Sequence, residues 1–341
     1  MIIPVNLGIN SYDVAVGKGL LESCDKMLDL DRKVAVITDE GVPTEYGMAI
    51  KNMCGEAYII TVPQGEESKS LSALEMIIST MLEKGFTRQD CVIAVGGGVV
   101  GDLAGFAASV YMRGVDFYNI PTTVLSQVDS SIGGKTAVNF NGVKNIVGTF
   151  YQPKKVIIDP DVLKTLTKRQ ISNGLCEALK MASTFDKELF DVFENGDPYG
   201  RIDEIIEKAL QIKANIVSQD EKESGIRKAL NFGHTIGHGI ESVKSGDGML
   251  HGECVGIGML AMCSDNVKDR LKSALKKLGV NVNITFDAEK AFDAAIHDKK
   301  SQGSYVTAVL CEEIGSFKFT RMDFDELKRR IYDLSHGGDL N

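Results

Sequence analysis

The feature that most restricts the fold of this chain is a short run with no polar side chain, CVIAV (91–95), that leads directly into GGGVVGDLAG. A wholly apolar strand of this length is buried on both faces, which happens inside a parallel sheet covered by helices. Parallel neighbours in turn require crossover connections. The upstream sequence supplies them. VAVITD (34–39) is β-branched and ends in the turn Asp39-Glu40-Gly41, and AYIITVP (57–63) repeats the theme. Between AYIITVP and CVIAV, SLSALEMIISTMLEKG places Leu71, Leu74, Met76, Ile77 and Met81 at helical spacing, with Gly85 as the expected C-terminal stop. This β-α-β-α order predicts an open α/β sheet with right-handed crossovers. From about residue 165 the pattern turns helical, in KELFDVFEN, RIDEIIEKALQIKANIVSQD, GECVGIGMLAMCSDNVKDRLKSALKKLG and MDFDELKRRIYDLS. SYVTAVLCEEIGSFKFTRM is the exception and reads as a late β-hairpin. The expected architecture is therefore a Rossmann-like α/β domain over residues 1–160 and a mainly α-helical domain over 161–341, divided near Pro160.

A length of 341 residues agrees with two domains. The net charge of −9 argues against a nucleic-acid surface, which needs a basic face. Seven cysteines without a CxxC pair do not form a disulfide framework and read as reduced thiols of a cytoplasmic protein. No signal peptide is visible at the start, and no apolar stretch approaches the ~20 residues needed to span a bilayer.

Three segments could carry chemistry. Gly96, Gly98 and Gly101 have GxGxxG spacing between a strand and a helix, which would let backbone N–H groups approach a pyrophosphate. A tight strand-to-helix turn has the same spacing. The acidic residue for an adenosine ribose is not at its usual offset; Asp39 or Glu66 could serve. The run IPTTVLSQVDSSIGGKTAVNFNGVKNIVG is dense in hydroxyls, amides and lysine, as suits a polyhydroxy or phosphorylated ligand. Its GGKT is not a P-loop, because Asp129 stands where the first glycine belongs. Three of only five histidines fall in one window, His234, His238 and His251. His234 and His238 lie four apart on one expected helix face, a spacing that can chelate a divalent metal, and His251 opens a further helix after a Gly/Asp loop. A carboxylate is the usual third ligand. Glu177 in NGLCEALKMA is a candidate, with Lys180 one turn later on the same face; an ordinary surface acid is the bland alternative.

GGGVVGDLAGF, YMRG, PTT, VDSSIGGKTAVN, GVKN, NGLCEALK, LNFGHTIGH and LHGE, in this order, together resemble the 3-dehydroquinate synthases of the sugar phosphate cyclase superfamily. The resemblance implies cyclisation of 3-deoxy-D-arabino-heptulosonate 7-phosphate to 3-dehydroquinate with loss of phosphate, in the shikimate route. It implies bound NAD and one zinc or cobalt ion: the C5 hydroxyl is oxidised transiently, phosphate leaves, the hydride returns, and an aldol step closes the ring. By the same resemblance Glu177, His234 and His251 are the metal ligands. His238, Lys135, Asn145, Lys180 and Asp129 are catalytic, and Arg113, Lys213, Arg227, Asn231 and Lys300 (or Lys299) bind substrate, with Arg113 reaching the neighbouring site of a homodimer. Asp39, Glu66, Lys69, Gly97, Gly98, Asp102, Thr122, Thr123, Lys144 and Thr165 are the NAD positions. Gln170 departs from the family's usual glutamate, and the loop between His238 and His251 is one residue longer than the common form. Two other enzyme classes compete. One is a cyclase making a valiolone or deoxy-scyllo-inosose, whose pocket would differ at the substrate carboxylate. The other is a metal-dependent polyol dehydrogenase, which would release NADH. A catalytically silent binding protein is disfavoured, since every expected polar group is present.

Overall fold

The computed structural model describes residues 1–296 and 304–336. They form two compact units, the first made of Met1–Thr167 with Lys213–Lys222, the second of Lys168–Ile212 with the described residues from Glu223 onward.

The first unit is built on seven strands: β1 (Ile2–Val5), β2 (Tyr12–Val16), β3 (Lys33–Asp39), β4 (Glu56–Val62), β5 (Cys91–Gly96), β6 (Asp116–Pro121) and β9 (Lys155–Ile158). Their order is β1-β2-β9-β6-β5-β3-β4; β1 is antiparallel to β2 and every other pair is parallel. The apolar run at 91–95 is buried throughout and lies inside the sheet, between β3 and β6, as its composition demands. Three helices complete the crossovers: α1 (Thr44–Met53), α2 (Leu71–Glu83) and α3 (Gly98–Val110). Ser70 caps α2 by accepting from the Ala73 N–H, and its apolar stripe buries Leu74, Ile77 and Met81. Residues of α2 and α3 share one core with β3, β4 and β5. A separate antiparallel hairpin, β7 (Lys135–Phe140) and β8 (Val143–Phe150), follows β6.

Chain order in the sheet reverses at β3, which has β4 on one side and β5 on the other. In open α/β sheets such a switch point opens a crevice beyond the strands' C-terminal ends. Here those ends are Asp39 and Gly96, followed at once by Gly97 and the start of α3.

The second unit contains α4 (Lys168–Phe185), α5 (Lys187–Glu194), the first part of α6 (Ile202–Gln219), α7 (His234–Lys244), α8 (His251–Leu260), α9 (Asp265–Lys277), α10 (Ala288–Ile296) and α11 (Phe324–Ser335). The late hairpin is present as β10 (Tyr305–Leu310) paired antiparallel with β11 (Lys318–Asp323). The helical run at 252–279 is divided, because Met262 and Ser264 hydrogen-bond the backbone of Cys311 and so leave the helix.

The division between units differs from the expected break near Pro160. Residues up to Thr167 stay with the sheet, where Tyr46 donates to the Val162 carbonyl and Asp159 accepts from the N–H groups of Gly19 and Leu21. Residues 213–222 also return to the first unit, through Lys213 to Asp129, Ser218 to Asn6 and Glu221 to Gln152. Sequence periodicity marks that stretch only as helix and carries no signal of which core it joins. Among the described residues, no helix is long and apolar enough to cross a membrane.

Candidate active site

The histidine window becomes one cluster because α7 and α8 cross at very short range. A Cβ on Gly237 would lie 2.8 Å from Cα of Val255, and one on Gly258 would lie 2.3 Å from the Gly233 carbonyl oxygen. Only glycine permits that approach, and it brings His234 and His238 of α7 beside His251, the first residue of α8. The ring centroid of His234 is 5.2 Å from that of His238 and 5.5 Å from that of His251. One ring nitrogen from each of the three lies within 4.8 Å of the others.

Glu177 enters this cluster from α4. It is not the surface acid of the bland alternative: its side chain and that of Lys180 are each 1% exposed. Lys180 Nζ donates to Glu177 Oε2 at 2.6 Å. The other oxygen, Oε1, is buried without a hydrogen-bond partner and lies 3.8 Å from His234 Nε2 and 3.5 Å from His251 Nε2. A buried carboxylate oxygen with no donor costs free energy unless a cation faces it. The opposite nitrogens are already engaged, His234 Nδ1 by the Phe232 carbonyl at 3.3 Å and His251 Nδ1 by Glu241 Oε2 at 2.9 Å. Two Nε2 atoms, that of His251 once its proton leaves, and one orphaned oxygen therefore converge, a donor set that fits a borderline divalent ion such as zinc.

Electrostatics reflect the crowding. Burial opposes ionisation of Glu177, but Lys180 foremost, with His251 beside it, outweighs it and holds the carboxyl well below its ordinary range. Burial, then the Lys180 charge, push His234 far down, so its imidazole is neutral. For His251 burial works downward too, yet its contacts with Glu177 and Glu241 raise it to about 9. The N-terminus of α8, which aims His251, is held from several sides. Asn173 accepts the Gly252 N–H at 2.6 Å, Glu253 accepts the Leu250 N–H at 2.9 Å, and Arg169 grips both oxygens of Glu253 and the Gly248 carbonyl. Also in this unit, Arg227 is buried, and Asn231 donates to Glu223 at 2.5 Å.

The first unit holds the remaining expected residues. Asp39 sits at the end of β3, nearly buried, and accepts from the Gly41 N–H at 2.8 Å. Burial raises its carboxyl pKa against that bond. Gly97 and Gly98 open α3; Thr122 and Thr123 follow β6, with the Thr123 hydroxyl 2.7 Å from Ser126 Oγ. Thr165 ends a short 3₁₀ turn. Lys69 is buried and donates to Asp102 at 2.7 Å and to the Asn145 side chain. Burial nonetheless keeps the Asp102 pKa raised. Asn139 ties the group together: its Oδ1 accepts the Asn145 N–H at 2.9 Å, its Nδ2 donates to Glu66 at 2.9 Å, and its own N–H donates to the Lys69 carbonyl at 2.7 Å. Asn145 has φ of 57°, the left-handed region that asparagine tolerates. Lys213 donates to the Asp129 carboxylate and carbonyl. Lys135 lines a small cavity with Asp102, Asn119 and Ser130. Lys144 and Arg113 are exposed. Lys299 and Lys300 lie outside the described residues.

Sequence reasoning missed Glu241, Asn139 and the Arg169–Glu253 pair. Glu241 had a signal: His234, His238 and Glu241 repeat at i, i+4 and i+7, one stripe of a helix. Arg169 had none, because its partners are remote in the chain; Asn139 meets Asn145 six residues on, but Glu66 and Lys69 only across the fold.

Comparison with known proteins bears on the whole chain. Residues 59–173 match the family model described as 3-dehydroquinate synthase N-terminal, and residues 174–301 match 3-dehydroquinate synthase C-terminal. A 3-dehydroquinate synthase from Alkaliphilus metalliredigens is 42% identical over 96% of this chain and 97% of its own length. Among solved structures, 2-deoxy-scyllo-inosose synthase complexed with carbaglucose-6-phosphate, NAD+ and Co2+ is 26% identical with a TM-score of 0.88, covering 97% of this chain and 99% of that one. The 2-epi-5-epi-valiolone synthase from Streptomyces hygroscopicus with NAD+ and Zn2+ bound is 26% identical with a TM-score of 0.85, covering 95% and 96%.

Proposed function

The chain belongs to the 3-dehydroquinate synthase family, and on that premise we propose that it converts 3-deoxy-D-arabino-heptulosonate 7-phosphate to 3-dehydroquinate and phosphate with NAD and one zinc or cobalt ion. The observation that carries this reading is the convergence of His234 Nε2, His251 Nε2 and the orphaned Oε1 of Glu177. An ion held there supplies Lewis acidity to the substrate's hydroxyl oxygens. Lys180 keeps Glu177 ionised and oriented through its second oxygen. His238 is exposed beside the other two rings, a position suited to moving a proton rather than completing the ligand set.

The first unit takes the dinucleotide. Asp39 accepts the ribose hydroxyls, Gly97 and Gly98 admit the pyrophosphate to the N-terminus of α3, and Glu66, Lys69, Asp102, Thr122, Thr123, Lys144 and Thr165 complete that site. Asp129, Lys213 and Arg227 bind hydroxyls and carboxylate, Arg and Lys suiting the anionic end. Lys135, Asn145, Asn231 and Lys300 (or Lys299) serve the phosphate end. Arg113 completes the site of a second copy in a homodimer. Supporting this, Arg113 is exposed and Met112 beside it exposes apolar surface. Nearby Val110 and Phe150 are exposed, their neighbours Ser109 and Thr149 joined by a hydrogen bond. The composition and chemistry suit the cytoplasm.

Purified protein given the heptulosonate phosphate, NAD and zinc should release phosphate with no net accumulation of NADH. Steady NADH production would favour a dehydrogenase. Equal phosphate release from a sugar phosphate lacking the carboxylate would favour one of the other cyclases.

A further inference from the structure

We propose that Glu241 is a positioning residue for the metal centre, holding His251 in the tautomer and ring orientation that present Nε2 to the ion. The inference rests on the reading of Glu177, His234 and His251 as ligands and extends it to a residue outside that set.

An imidazole offers a lone pair from Nε2 only when its proton resides on Nδ1. Glu241 Oε2 lies 2.9 Å from His251 Nδ1, within range to accept that proton's hydrogen bond, while His251 Nε2 faces the orphaned Oε1 of Glu177 at 3.5 Å. The two histidines are held differently. His234 has the neutral Phe232 carbonyl at 3.3 Å, a long contact two residues away on its own chain segment. His251 has an anion on another helix, closer by several tenths of an ångström. A carboxylate behind a ligating imidazole fixes the ring and makes the opposite nitrogen a better donor.

The location fits the role. Glu241 stands on the same stripe of α7 as His234 and His238, so the helix that contributes one ligand also orients the ligand from α8. Its side chain is 14% exposed and that of His251 31%. His251 is thus the more open of the two imidazoles, and the one whose ring most needs a fixed partner. A bare helix-to-helix clamp would predict something different: loss of Glu241 would then lower stability and leave ion affinity untouched.

Cobalt(II) titrated into the metal-free full-length protein, followed by its visible absorption, separates these cases. Wild type should take up one equivalent. Glu241→Ala should bind cobalt about 10–100-fold more weakly and with an altered spectrum. Glu241→Gln keeps a carbonyl acceptor for the Nδ1 proton without the charge, so its affinity should fall between the two. Wild-type affinity and spectrum in Glu241→Ala overturn the proposal; should that variant fail to fold, wild-type affinity in Glu241→Gln overturns it equally. A wild-type protein that takes up no cobalt sinks the metal reading itself, whereas normal wild-type uptake with unaltered variants sinks the positioning role alone.

Discussion

Replacing Lys180 by methionine removes the ammonium group facing Glu177 while keeping an unbranched side chain of similar length in the interior of α4. The pair is 2.6 Å apart and each side chain is 1% exposed, so solvent does not screen it. Burial alone disfavours the Glu177 carboxylate, and Lys180 is foremost among the charges that overcome this. Removing one partner of such a pair costs about 3–5 kcal/mol. At about 2–4 °C per kcal/mol for a cooperative unit of this size, the metal-free variant should melt between about 6 and 20 °C lower than wild type. The pH dependence follows from the sign of the shift. Wild-type Glu177 sits well below its ordinary 4.5, so its stabilisation is present above pH 4.5 and is lost as pH falls through the lowered value. Without Lys180 the carboxyl rises, and the stabilisation above pH 4.5 shrinks. The gap between the proteins is therefore wide at neutral pH and narrows in acid, where the variant's carboxyl takes up its proton well before that of wild type. Saturating zinc should narrow it as well, because Oε1 then faces a cation. Calorimetric melts with a chelator and with zinc, at about pH 4 and about pH 7.5, measure each term. A loss under about 1 kcal/mol at neutral pH, or a loss identical at both pH values, would refute the argument that this buried pair governs the site.

Two further substitutions test the division of labour. His238→Ala should keep its zinc and lose about 10²–10⁴-fold in turnover, as for a proton-transfer group, whereas His234→Ala should lose the metal. Equal zinc loss on elemental analysis would make His238 a ligand, which its ring nitrogen, within 4.8 Å of the others, is near enough to test. Asn139→Ala frees Asn145 and Glu66 from their shared partner. Loss of roughly 1.4 kcal/mol of ordering should weaken NAD about tenfold by calorimetric titration, and an unchanged dissociation constant would show that Asn139 has no part in the dinucleotide site.

Much of this molecule is legible from local sequence. The apolar strand at 91–95 had to be interior, because nothing in it can face water. The glycines after it had to form a turn into α3, and the spacing of Leu74, Ile77 and Met81 had to give a helix with one buried stripe. The histidine window likewise pointed to a cluster, and the structure brings one ring nitrogen of each of its three histidines within 4.8 Å of the others. Its first reading, a chelate of His234 with His238, depends on helical spacing alone, and spacing cannot tell which ring nitrogens converge.

What the sequence by itself determined, then, is the set of elements and the kinds of side chain they carry, since both depend on residues within a few positions of one another. Tertiary structure decided the partnerships. Glycine contacts between α7 and α8 set the distance from His234 to His251, the burial of α4 turned Glu177 from a possible surface acid into an interior carboxylate, and Glu241 met His251 only once the helices had crossed. It also sent residues 213–222 back to the first unit, where Lys213 finds Asp129. The physical reason is common to all four: electrostatic and steric terms depend on separation in space and on local burial, and neither quantity is encoded in the spacing along the chain.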